Sequence, residues 1–202
     1  MLMQKKISVG ITGLMGSGKS EVARYLMRTG YPVLFMDRVG HDCLGEKDVV
    51  NKLTSCFKQH ILDESQKIDR KKLSKIVFVD QKKLALLNSI LHPIMNEEAK
   101  KWIIKHHEKG DSLVFIEAAV LFEMKMELFL DYTVLIQAAE KEIIKRIIQR
   151  DRKTLEETKL ILDNQRVDAS KVDYVIYNMG TLEELQFACH ELLYWLDHQV
   201  IK

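Results

Sequence analysis

The chain is expected to fold as an α/β domain with a mainly parallel five-stranded sheet flanked by helices. Three observations lead there. Short apolar, partly β-branched runs recur and are separated by helical patterns. The first run is followed by Gly13-Leu14-Met15-Gly16-Ser17-Gly18-Lys19-Ser20, a G-x-x-x-x-G-K-S pattern that needs a strand before it and a helix after it. A long stretch, 38–109, carries helical signal and little strand signal, and it falls between the second and third runs.

In chain order, Ile7–Thr12 has the composition of a buried strand, and residues 21–27 that of a helix. That helix is expected to end at Arg28-Thr29, with Gly30 as the left-handed residue after it. Residues 33–36 read as the second strand. In the middle stretch Asp69 and Asp80 are N-cap candidates for helices through Phe78 and through Leu91. His92-Pro93 is expected to break the chain before a further helix over 94–107. The block is large for a simple crossover and reads as a helical lobe inserted within a single domain of 202 residues. Residues 112–117, 132–137 and 174–177 supply the remaining strands. Thr154-Leu155-Glu156-Glu157 and Thr181-Leu182-Glu183-Glu184 both have the form of a capping box. In the last helix Leu182, Leu185, Cys189, Leu192, Leu193 and Leu196 share one face, which is expected to pack on the core. Trp102 and Trp195 lie in helical patterns and are expected in the core.

Bulk properties exclude several classes. Lys plus Arg number 31 against 29 for Asp plus Glu, a balance that predicts no nucleic-acid or membrane partner. Cys43, Cys56 and Cys189 are scattered, with no C-x-x-C pair, which argues against a disulfide framework and fits a reducing compartment. No signal-peptide core precedes the first strand and no apolar run approaches the length of a membrane span, so a cytoplasmic protein is expected, as a monomer or weak homo-oligomer. The seven histidines form no metal set, and His106 and His107 point different ways on a helix.

The octet carries the chemistry. Gly13, Gly16 and Gly18 let the backbone approach phosphate oxygens, and successive N–H groups, including those of Ser17, Ser20 and Glu21, make an anion cradle at a helix N-terminus. Lys19 brings positive charge to the β- and γ-phosphates, and the Ser20 hydroxyl can hold Mg²⁺. Asp37-Arg38-Val39-Gly40 formally matches the D-x-x-G of GTPases, but no Asn-Lys-x-Asp follows, which favours a small-molecule kinase over a GTP switch. Such a kinase needs an acid near the acceptor hydroxyl and cations around the transferring group. Asp37, at the carboxyl edge of the second strand, suits the first role, and it could equally cap the following helix. Arg146 and Arg150 are one helical turn apart, with Arg152 close behind. They fit a phosphate clamp or a solvated basic face. Glu117 and Glu123 flank the exit from the third strand, where a carboxylate can face the site or the solvent.

Taken together the residues resemble the dephospho-CoA kinase family over nearly the whole chain. The resemblance runs from Val9-Gly10-Ile11-Thr12-Gly13 and the octet through Tyr31-Pro32-Val33 to Asp37, which holds the place of the second aspartate of an Asp-Ala-Asp element. It continues through Ile68-Asp69-Arg70-Lys71-Lys72-Leu73, Val77-Phe78, Leu91-His92-Pro93 and Ala119-Val120-Leu121-Phe122-Glu123. Arg146 and Arg150 match lid arginines, and Asn164-Gln165 and Asp173-Tyr174-Val175-Ile176-Tyr177-Asn178 match two further blocks. The resemblance implies a P-loop kinase fold with a helical acceptor lobe (38–109) and a short lid (146–160). It also implies transfer from ATP, with Mg²⁺, to the ribose 3′-hydroxyl of dephospho-CoA. It assigns the catalytic base to Asp37, with Lys19 and Arg146 on the transferring phosphoryl group, Arg150 on the nucleotide, and Arg70, His92 and Glu123 on the acceptor. The alternatives are a kinase of nucleosides or nucleotides and a non-catalytic nucleotide-binding module. Four residues depart from the family pattern. Leu14 replaces a glycine in the loop, Glu21 a small hydroxyl residue, Phe35 the first aspartate, and Ala119 a proline. The Glu21 side chain must turn away from phosphate.

Overall fold

The computed structural model of the protein describes residues 5–163, 165, 167 and 169–200. Its strands are β1 (Ile7–Thr12), β2 (Val33–Phe35), β3 (Leu113–Glu117), β4 (Tyr132–Gln137) and β5 (Tyr174–Tyr177). Its helices are α1 (Lys19–Arg28), α2 (Met36–Cys43), α3 (Lys47–Phe57), α4 (Arg70–Val77), α5 (Gln81–Glu108), α6 (Glu140–Asp151), α7 (Leu155–Asp163) and α8 (Leu182–Val200). The five strands form one sheet in the order β2-β3-β1-β4-β5. β1 pairs in parallel with β3 and β4, and β4 with β5. The expected α/β fold is therefore present, with β1 at the centre of the sheet.

All six residues of β1 are buried, and so are all five of β3, which is why these strands read as continuous apolar runs. Ile7, Val9 and Ile11 pack with Val22 and Leu26 of α1 and with Leu185, Cys189, Leu192 and Leu196 of α8. The α8 face thus closes the core as its spacing predicts, with one correction. Leu182 is 52% exposed, because it is the first residue of α8 and lies a turn ahead of the packed stripe. Trp195 is half-buried between Tyr132 and Tyr174, with ring centroids 5.1 and 5.2 Å away. Trp102, also half-buried, stacks on His106 at 4.2 Å. The sheet register is held by carboxylates that meet an adjacent strand. Asp131 accepts from the Ser8 N–H (2.8 Å) and hydroxyl (2.7 Å), and Asp173 from the Thr133 N–H (2.7 Å) and hydroxyl (2.9 Å).

The chain divides into two compact units, residues 35–101 and the remainder. The first comprises α2, α3, α4 and most of α5, with Leu53, Leu73, Met95 and Ala99 among its buried side chains. Its helix starts follow local chemistry. Asp69 accepts from the Lys71 and Lys72 N–H groups at 2.9 and 3.1 Å, and Asp80 from those of Lys82 and Lys83 at 2.9 and 3.3 Å. The bonds to Lys72 and Lys71 hold the Asp69 carboxyl below its usual range.

Two sequence expectations are corrected here. The second strand stops at Phe35, not at 36. Phe35 is the extended N-cap residue of α2, and Met36, 2% exposed, already belongs to the helix and packs inward. Asp37 therefore lies in the first turn of α2 and not at a strand end. The break expected at Pro93 is also absent, since α5 runs unbroken through it. Leu91, Met95, Ala99 and Ile103 repeat at helical spacing and are all buried. Their burial offsets the hydrogen bond that proline cannot donate, a cost of about 3 kcal/mol in a helix interior. Both capping boxes form as expected. Thr154 N–H donates to Glu157 at 2.8 Å and Glu157 N–H to the Thr154 hydroxyl at 3.1 Å. The Thr181–Glu184 pair does the same at 2.7 and 3.2 Å. Thr181→Ala is expected to lower stability by about 1 kcal/mol in a denaturant titration, through loss of the N-cap acceptor at α8.

Candidate active site

The octet joins β1 to α1 as its pattern requires. Gly13, Gly16 and Gly18 have φ of 150°, 77° and 107°, and Gly18 is the N-cap of α1. These left-handed conformations are open to glycine and strained for other residues. A Cβ on Gly13 would also collide with the Ile136 carbonyl. Leu14 has no positive φ, so the loop accepts its side chain without backbone strain. That side chain packs with Met15 against Ile143 and Ile147 of α6. The Leu14 departure thus becomes an apolar anchor of the loop.

Inside the loop Lys19 is 7% exposed, and its ammonium donates to the Leu14 carbonyl at 3.0 Å. The Ser17 hydroxyl is buried and meets no hydrogen-bond partner among the described residues. Such an orphaned hydroxyl at the rim of an anion cradle fits a phosphate oxygen. The Ser20 hydroxyl is exposed and lies 3.4 Å from the carboxylate of Glu117, which is itself 5% exposed at the end of β3. The Ile11↔Glu117 register of β1 and β3 puts that carboxylate beside the start of the loop. A serine hydroxyl next to a carboxylate is an oxygen donor set that suits Mg²⁺, which keeps several waters and takes few protein ligands. Among the described residues no cluster of three His, Cys, Asp or Glu side chains could hold a metal by itself.

Glu21 turns away from the loop, as its charge requires. Its carboxylate pairs with Arg24 at 2.9 Å and Arg28 at 3.4 Å along α1, and its N–H donates to the Gly18 carbonyl at 3.0 Å. Three side chains from distant parts of the chain hold the loop from outside. Gln165 accepts from the Met15 N–H at 2.8 Å. Arg146 on α6 donates to the Gly16 and Ser17 carbonyls at 3.3 and 3.4 Å, and Asn178 just past β5 donates to the Ser17 carbonyl at 2.8 Å. A cavity of about 250 Å³ opens beside this girdle, lined by Gly18, Glu21, Arg146, Asn178, Thr181 and Leu185 among others.

The structure therefore brings Gly13, Gly16, Ser17, Gly18, Lys19, Ser20 and Arg146 together. Arg150 points elsewhere. Its guanidinium makes two 2.8 Å bonds to Asp151, and this pairing holds the Asp151 carboxyl below its usual range. Glu123 is exposed in the turn after β3. Asp37, Arg70 and His92 belong to the 35–101 unit. Asp37 is exposed in the first turn of α2, Arg70 is exposed at the start of α4, and His92 is half-buried on α5. Phe35 carries the Arg38 guanidinium 4.9 Å above its ring, so the place of the family pattern's first acid is taken by an aromatic ring with a cation over it. The segment matched to a lid consists of the second half of α6, a turn at Arg152 and α7. Of the Asn164-Gln165 block, Asn164 lies outside the described residues. Of the two carboxylates at the exit from the third strand, Glu117 meets the loop, while the parts of Gln165 and Asn178 in holding it are not read from spacing.

A parallel sheet of this order, with a glycine loop curled over a buried lysine at the end of its central strand, defines a P-loop kinase. The dephospho-CoA kinase model matches residues 7–184. A dephospho-CoA kinase of Fusobacterium nucleatum is 34% identical over 88% of this chain and 92% of its own length. One of Carboxydothermus hydrogenoformans is 35% identical over 87% of each. A crystal structure of a Thermus thermophilus protein superimposes with a TM-score of 0.78 at 30% identity, covering 96% of this chain and 99% of that one. The chain belongs to the dephospho-CoA kinase family.

Proposed function

We propose that the protein transfers the γ-phosphoryl group of ATP to the ribose 3′-hydroxyl of dephospho-CoA, giving CoA and ADP, the last step of coenzyme A biosynthesis. The observation that carries the donor half is the buried Lys19 within a loop whose Ser17 hydroxyl is left without a partner. Family membership supports the acceptor. In this reading the loop N–H groups and Lys19 bind the β- and γ-phosphates, and Ser17 hydrogen-bonds a phosphate oxygen. Ser20, with the Glu117 carboxylate beside it, would hold Mg²⁺, and the ion would supply charge neutralisation for the transferring phosphoryl group. Asp37 takes the proton of the 3′-hydroxyl as that oxygen forms its bond to phosphorus and the bond to the ADP oxygen breaks. The proton then leaves to solvent. Arg146 neutralises charge on the transferring group, while Arg150 must first leave Asp151 to assist. Arg70, His92 and Glu123 contact the acceptor, with residues 38–109 acting as the acceptor lobe and 146–160 as the lid of one catalytic domain. The nucleobase occupies the cavity beside Gly18, where Leu185 offers an apolar surface and Arg146 a planar cation.

The expected setting is the cytoplasm, and the partner a small molecule, with no nucleic acid and no membrane, in a monomer or weak homo-oligomer. The exposed free thiol of Cys56 fits a reducing compartment, and no helix among the described residues is long and apolar enough to cross a membrane. A coupled ADP-release assay across dephospho-CoA, nucleosides and nucleoside monophosphates tests the reading. Turnover confined to dephospho-CoA is the expected result. Turnover with a nucleoside or nucleotide alone would reassign the acceptor, and slow hydrolysis indifferent to every acceptor would make the chain a nucleotide-binding module.

A further inference from the structure

Ser17 and Asn178 are 161 residues apart in sequence, yet the Asn178 side-chain amide donates to the Ser17 carbonyl at 2.8 Å in a buried contact. The amide is seated so closely that a Cβ on Gly18 would collide with its nitrogen. Asn178 is itself fixed to the sheet, its backbone N–H donating to the Gln137 carbonyl at 2.7 Å. It is 6% exposed, so the side chain has little room to turn. The chemistry sets which end of the amide faces the loop, since a carbonyl oxygen accepts only from the NH₂ group.

We infer that Asn178 is a positioning residue for phosphate binding, a fixed peg that sets the direction of the Ser17–Gly18 peptide. In a trans peptide the carbonyl and the following N–H point in opposite directions. Holding the Ser17 carbonyl outward therefore aims the Gly18 N–H into the cradle. That N–H meets no acceptor among the described residues. Arg146 reaches the same carbonyl at 3.4 Å and the Gly16 carbonyl at 3.3 Å, both longer than the Asn178 bond and made by a long side chain that is only part-buried. The two residues thus divide the work. Arg146 can leave for the nucleotide, and Asn178 keeps the loop in its anion-binding form when it does. The glycine at 18 serves this contact as well as the backbone conformation, because any side chain there would displace the peg.

The inference rests on the loop being the triphosphate site and not on the identity of the acceptor. The test uses the full chain with Mg²⁺ and two probes, MgADP and inorganic tripolyphosphate, titrated by calorimetry. Asn178→Leu keeps the volume and removes the donor, and Asn178→Ala removes both. Each is expected to weaken tripolyphosphate and MgADP about equally, by roughly tenfold, the scale of one hydrogen bond and the ordering it provides. Dephospho-CoA affinity is expected to change little, and the melting temperature without ligand to fall by a few degrees, the cost of one buried hydrogen bond. A loss for MgADP with tripolyphosphate unaffected would overturn the inference, since Asn178 would then be acting on the base. Equal losses for phosphate and acceptor ligands would overturn it as well, by showing a general structural role. Wild-type protein that binds neither probe would instead sink the kinase reading. If the variants do not fold, hydrogen exchange of the Asn178 side-chain amide in the wild-type ¹H–¹⁵N spectrum decides. Slow exchange with and without MgADP is expected, and rapid exchange in the nucleotide complex would refute the fixed peg.

Discussion

Lys19→Ala is expected to lower kcat/KM for ATP by about 10³-fold or more, with the fold intact. Lys19 is 7% exposed, with its ammonium 3.0 Å from the Leu14 carbonyl. A strongly hydrated cation is costly to hold in such a place, and the Leu14 carbonyl offsets part of that cost. When γ-phosphate arrives, the same charge is already positioned and partly desolvated, so its attraction for the transferring group is far greater than in water. A loss of 10³ corresponds to about 4 kcal/mol of transition-state stabilisation. Alanine removes the charge and its bond to the Leu14 carbonyl, and the melting temperature is measured alongside to separate lost phosphate binding from lost stability. Lys19→Arg keeps the charge but replaces a compact ammonium by a planar fork within a closed loop, and it should fail nearly as badly. Steady-state ADP release, with MgATP affinity measured separately, checks both variants. Wild-type turnover in Lys19→Ala would overturn the assignment of the octet as the phosphate site.

Much of this site is legible in the sequence because its determinants are local. The strand, the glycines, Lys19 and Ser20 fall within a few residues of one another, and so do the N-caps at Asp69 and Asp80 and the two capping boxes. What escapes local reading is set by tertiary contacts. Pro93 carries a helix-breaking signal, yet α5 continues because Leu91, Met95 and Ala99 are buried in register. Asn178 closes a block that matches the family but carries no role of its own in the sequence, until parallel pairing of β4 with β5 places it beside Gly18. Glu117 and Glu123 are equivalent on spacing, and the β1–β3 register selects Glu117 as the carboxylate near Ser20. Arg150 shows the converse. Its helical spacing from Arg146 suits a clamp, but the adjacent Asp151 captures its guanidinium. The substitution of Ala119 for proline has no structural account beyond the 3.4 Å bond that its carbonyl accepts from the Thr12 hydroxyl.

Asp37→Asn is expected to lower kcat by about 10²–10⁴-fold while leaving MgATP affinity unchanged. Asparagine keeps the shape and can still accept a hydrogen bond from the acceptor hydroxyl through its carbonyl oxygen, but it cannot take the proton. A defect in kcat with a nearly unchanged KM for dephospho-CoA therefore separates proton transfer from binding. Asp37 lies in the first turn of α2, where the helix N-terminus stabilises negative charge. Phe35, two residues before it, carries the Arg38 guanidinium over its ring where the family pattern has an acid. The competing candidate is Glu117, a buried carboxylate 3.4 Å from the Ser20 hydroxyl. The dependence of the rate on Mg²⁺ distinguishes the two. Glu117→Gln should raise the Mg²⁺ concentration needed for half-maximal rate and recover activity as the ion is increased. Asp37→Asn should keep the wild-type Mg²⁺ dependence at a much reduced ceiling. Near wild-type turnover in Asp37→Asn would remove Asp37 as the base. A ceiling loss in Glu117→Gln that excess Mg²⁺ did not restore would transfer the proton to Glu117 and leave Asp37 as the charged start of α2.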